Sequence, residues 1–172
     1  THVVPGKFTS AIGVFATGSA FRWVREQLCT NLDAQAEAEG VSTYEIMLRL
    51  AATSPIGANR TLFLPTLAGG SSLDPSPNVR GAFVNLDLGD TQADLIRATL
   101  EGIAMSLRLA LDALESITPV SGEMVAVGGG SRSDLWMQIY ADLYGKDMVR
   151  TNIGQQAAAL GAAAVALVGV GL

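Results

Sequence analysis

Apolar positions along the chain alternate between helical and strand-like spacing. His2–Phe15 is rich in Val, Phe and Ile and is interrupted by Gly6 and Gly13, a pattern of strand and turn. After small residues at Thr17 and Gly18, the spacing of Phe21, Val24 and Leu28, with Trp23 beside them, predicts a helix over Ser19–Leu28. Asn31–Glu39 is polar, acidic and Ala-rich. A second helix, Tyr44–Ala52, can be capped by Ser42 or Thr43 and is closed by Ser54, Pro55 and Gly57. Thr61–Leu67 is a short apolar run; Gly69, Gly70, Ser71 and Ser72, then Pro75 and Pro77, mark an irregular loop before a strand at Gly81–Leu86. Ile96, Leu100, Ile103, Leu107, Leu111 and Leu114 recur at steps of three and four, so a core helix is predicted from about Gln92 to Glu115, with Thr91 and Asp94 placed as a capping box. Met124–Val127 reads as a buried strand. Gly128, Gly129 and Gly130 follow, and Ser131 or Ser133 can cap a helix carrying Leu135, Trp136, Ile139, Tyr140 and Leu143 up to Gly145. Met148–Thr151 is a last short strand, followed by a last helix. Strand and helix in this alternation predict an α/β layer architecture, with helices packed on a sheet.

No residue from Thr151 to Leu172 is charged, which raises the question of a membrane span. The uninterrupted apolar part is shorter than the roughly 20 residues a bilayer needs and is richer in Ala and Gly than in Leu and Phe. It reads as a buried helix packed closely on a sheet. Thr1 in place of Met, and Leu172 inside an apolar stretch, read as the ends of a piece of a longer chain. Hydrophobic residues make up 49% and charged residues 16%, enough for a buried core and one compact domain. The 11 Lys and Arg against 16 Asp and Glu give a net charge of −5, and the basic residues are scattered singly, which argues against nucleic-acid binding. One cysteine, Cys29, excludes an internal disulfide; with one histidine, His2, it cannot build a zinc site or a convincing Ser-His-Asp triad.

The segment with chemical promise is Val125–Trp136, where a strand runs into three glycines and then a helix start. Glycine lets a ligand approach the backbone, and a helix N-terminus offers N–H groups to an anion, so a phosphate or adenosine moiety suits it. A strand-to-helix turn can also need glycine for steric reasons alone. The segment is neither a Walker A loop, since Lys7 and Lys146 lack the flanking pattern, nor a dinucleotide fingerprint, whose third glycine would fall on Ser133. Ala16–Trp23 is a second turn of small residues entering a helix, with Arg22 one turn in, suited either to phosphate or to an ordinary helix start. Trp23 and Trp136 read as core residues and Cys29 as a small buried hydrophobe; Asp87, Asp90 and Asp94 look like a carboxylate cluster, but Asp90 and Asp94 have helix-capping explanations and none is given a catalytic role.

Taken together, these pieces resemble the carboxy-terminal domain of the FGGY carbohydrate kinases, most closely its xylulokinase-like branch, over nearly the whole chain. Gly81–Leu86, seven further residues and Asp94–Glu101 are similar to that family's second signature. Val127–Ser133, Trp136, Gln138, Ala141–Asp142, Gly145 and Ala159–Ala163 are similar to its adenosine-binding end. Gly18–Arg25 is similar to its helix entry, and Leu62–Pro65 to its strand before the variable loop.

The resemblance implies an actin-like, ribonuclease-H-like α/β domain with a mixed sheet flanked by helices. It makes residues 1–172 the nucleotide-binding domain of a two-domain sugar kinase whose upstream sugar-binding lobe is absent. It implies ATP and Mg2+ as cofactors, a sugar substrate, probed first as a ketopentose such as xylulose, and the upstream lobe of the same polypeptide as partner. Another polyol, a sugar-like signalling molecule, or a non-catalytic actin-like nucleotide module are the alternatives. By resemblance Gly128, Gly129 and Gly130 would lie along the nucleotide, Ser133 would meet the adenine, Gly18 would approach the phosphates, and Arg22 would stand where the glycerol kinase branch has a glutamine contact. The family's catalytic aspartate lies upstream of the matched segment, so no catalytic or metal-binding residue is assigned here. Asn85 stands where the signature has Gly, an exchange that Asn tolerates because it enters the left-handed backbone region. Gln156 replaces an acidic residue and Gly70–Ser72 a Glu-Arg-Thr loop. A cytoplasmic location and no membrane partner are expected, and the sequence leaves a homodimer open.

Overall fold

The computed structural model describes residue 6 and residues 8–15, 17–153 and 156–170. The chain divides into two compact units, one formed by residues 13–113 and the other by residues 1–12 with 114–172. The first part of the strand expected over His2–Phe15 lies outside the described residues, and residues 8–14 carry no regular structure.

Four helices and a strand pair build the unit of residues 13–113. Helix α1, Thr17–Leu28, turns Ala20, Phe21 and Val24 inward, while Trp23 stays 40% exposed rather than joining the core. Trp23 neighbours the buried Val24 but lies off the stripe set by Ala20, Phe21 and Val24, so helical phase overrides its size. The polar stretch after it is also helical: a short 3-10 turn, Thr30–Leu32, leads into α2, Asp33–Glu39. Helix α3, Thr43–Ala51, begins where Ser42 Oγ accepts the Glu45 N–H at 3.3 Å, which satisfies one of the orphan N–H groups of the first turn. The Phe21 and Tyr44 rings meet at 5.4 Å, joining α1 to α3.

Strands β1, Leu62–Leu64, and β2, Ala82–Val84, pair antiparallel with Phe63 opposite Phe83. Helix α4, Gln92–Glu115, is buried almost without interruption from Ala93 to Ala104, as the central helix of a core must be. Met47, Ile96, Leu100 and Ile103 are fully buried there, each contributing about 1.5–3 kcal/mol relative to exposure. A Cβ on Gly102 would stand 2.1 Å from the Phe63 carbonyl oxygen. Only the missing side chain lets β1 lie this close to α4.

In the second unit β3, Glu123–Ala126, pairs parallel with β4, Asp147–Arg150, Val125 opposite Val149. Helix α5, Asp134–Tyr144, crosses between them and packs on β4. Trp136, Tyr140 and Tyr144 stack in series along it, with centroids 5.7 and 5.4 Å apart. Three expectations change here. Among the described residues the strands pair as two two-stranded sheets, one antiparallel and one parallel, where one mixed sheet was expected. The strand expected to be buried is not: no residue of β3 is buried, and Val125 is 55% exposed. Helix α6, Ala157–Gly169, also has no buried residue. Parallel strands and all-apolar helices become buried only when helices or further strands cover them, and among the described residues nothing covers α6.

Candidate nucleotide site

The glycine turn forms as the chain leaves β3. Gly128 takes φ 91° and ψ −171°, a region only glycine adopts without strain. A 3-10 turn over Gly129–Arg132 follows, and its first bond runs from the Ser131 N–H to the Gly128 carbonyl at 3.3 Å. Ser131 Oγ donates to the same carbonyl at 2.8 Å. The N–H groups of Gly129 and Gly130 precede that first bond, so the turn itself gives them no acceptor. A Cβ at Gly128 would meet nothing within 4 Å, whereas one at Gly130 would press on the Trp136 ring at 3.2 Å. Gly130 is therefore accounted for by packing on Trp136, which joins the core as expected.

Ser133 caps α5: its Oγ accepts the Trp136 N–H at 3.1 Å, and the residue is 7% exposed. The cap uses oxygen lone pairs and leaves the hydroxyl proton to donate elsewhere. Gly128, Gly129, Gly130 and Ser133 are thus gathered in one turn, outside the carboxyl end of a parallel strand, where ligands of open α/β sheets bind. A backbone cradle with unpaired N–H groups fits a nucleotide. Gly18 and Arg22 belong to the other unit. Both are exposed in the first two turns of α1, and a Cβ on Gly18 would meet nothing within 4 Å. Among the described residues no three His, Cys, Asp or Glu side chains gather to hold a metal ion.

At the start of α4 the expected Thr91–Asp94 cap is part of a larger polar network whose other members, Ser54, Asn59, Arg97 and Glu101, the sequence did not single out. Asp94 Oδ2 accepts from the Thr91 N–H at 2.8 Å and Thr91 Oγ1 at 2.6 Å, so the aspartate reaches back to the cap as the capping box requires. Its Oδ1 accepts from Ser54 Oγ at 2.6 Å and Asn59 Nδ2 at 3.0 Å. Burial alone would raise the Asp94 pKa; the hydrogen bonds from Ser54, Thr91 and Asn59 outweigh it and hold the carboxyl below its ordinary value. One turn on, buried Arg97 and Glu101 pair at 2.7 Å, Arg97 donates to the Ser54 carbonyl and Glu101 accepts the Gly57 N–H. Asp90 accepts from Thr61 Oγ1 at 2.7 Å, and Asp87 Oδ1 accepts the Gly89 N–H within its own turn at 2.8 Å, so both carboxylates are engaged in local structure.

This network grips a loop in which Ala58, Asn59 and Arg60 all have positive φ, at 46°, 53° and 73°. Three consecutive left-handed non-glycine residues are costly, and the hydrogen bonds to Asp94 and Glu101 over-determine them. Asn85 is left-handed too, with φ 65°, and its Nδ2 donates to the Arg60 carbonyl.

The family described as "FGGY family of carbohydrate kinases, C-terminal domain" matches residues 1–170. The chain is 30% identical over 170 residues to a xylulose kinase of Staphylococcus epidermidis, covering 99% of this chain and 32% of that protein. It is 33% identical over 175 aligned positions to an autoinducer-2 kinase of Photorhabdus laumondii, with the same coverage of 99% and 32%. Among solved structures, xylulose kinase of Lactobacillus acidophilus superimposes with a TM-score of 0.73 at 29% identity, over 92% of this chain and 30% of that one. The chain belongs to the FGGY family of carbohydrate kinases and corresponds to the family's C-terminal domain. It spans about a third of the length of the relatives it matches.

Proposed function

We propose that this chain is the nucleotide-binding lobe of an ATP-dependent sugar kinase, an actin-like domain that works with an upstream lobe of the same polypeptide. The observation that carries the reading is the Gly128 turn, a glycine-only backbone conformation that presents N–H groups beyond the end of β3. Phosphoryl transfer asks a protein mainly for positioning and charge compensation. Here the turn from Gly128 to Gly130 positions the nucleotide and Ser133 meets the base, with Mg2+ entering with the nucleotide; Gly18 and Arg22, in the other unit, are carried over from the resemblance as phosphate contacts. The proton acceptor for the sugar hydroxyl stands in the upstream lobe, which makes this chain inactive alone. A ketopentose such as xylulose is the first substrate to try. A sugar-like signalling molecule is the second, favoured by the likeness to an autoinducer-2 kinase. The ATP requirement places the work in the cytoplasm.

The test is calorimetric titration of the intact protein with MgADP, with a Gly18→Val variant beside it. A side chain at Gly18 enters open space, so the variant keeps its fold by circular dichroism. It is expected to weaken MgADP binding at least ten-fold. Wild-type affinity in the folded variant would remove Gly18 from the phosphate site.

A further inference from the structure

We draw no further inference here: the strongest candidate, the outward face of the β1–β2 pair, an uncharged apolar strip of Leu62, Leu64, Ala82 and Val84, carries none because nothing in the structure shows what covers it.

Discussion

Asp94 is the residue on which the largest number of local bonds converge, and its chemistry sets a pH dependence. Its folded pKa lies below the ordinary value, so the stability it contributes is complete above the unfolded pKa of about 3.9 and is lost as pH falls through the folded one. Urea midpoints should therefore fall below about pH 4.5. In Asp94→Asn that slope should flatten, and stability at pH 7 should drop by about 1–3 kcal/mol, because donors from Ser54, Thr91 and Asn59 lose a charged acceptor. An unchanged midpoint at pH 7 would show that the left-handed loop does not depend on this carboxylate. Cys29 fits the reading of a small buried hydrophobe: burial pushes its thiol up to about 11, against a lowering by Gln92, with Asp33 adding to the rise.

At the scale of elements, the α4–β1 approach is the tightest constraint. Gly102→Ala should destabilise the protein by about 1–3 kcal/mol or more, because the new Cβ collides with backbone, which cannot swing away as a flexible side chain could. Thermal unfolding measures this directly, and a gain in stability from the better helix former would contradict the close packing. The elements themselves were largely legible. Helices α1, α3, α4 and α5 lie within a residue or two of where periodicity put them, and of the two caps open for each, Ser42 and not Thr43 caps α3 and Ser133 and not Ser131 caps α5. The stretch Asn31–Glu39 has weak apolar periodicity and gives no helix signal in the sequence, yet α2 forms there with Ala36 turned inward. The run Gly57–Arg60 gave no signal, since Ala and Arg have no preference for left-handed backbone and are held there by partners some 25 to 44 positions away.

For the whole molecule, the outstanding feature is apolar surface. Helix α6 holds no charge and no buried residue, and Val168 and Val170 are each exposed. Exposed patches of this kind bind partners or promote association. The 172-residue chain by itself is expected to bind the dye ANS and to scatter light in proportion to concentration, and Val168→Lys should reduce both. A chain that stays monomeric and dye-free would mean that α6 is covered. The same element marks the limit of reading polarity alone: its composition predicted burial, but burial depends on what packs against it. No helix among the described residues is long and apolar enough to cross a membrane.

By itself the sequence determined helices α1, α3, α4 and α5, the glycine turn after β3 and the family, because these depend on local periodicity and on spaced motifs that survive without coordinates. Only the tertiary structure decided which polar groups are buried together around Asp94, which glycine is demanded by a neighbour's backbone, and which of two neighbouring serines or threonines caps a helix. Those are relations between residues far apart in the chain, and neither propensity nor spacing along it encodes distances in space.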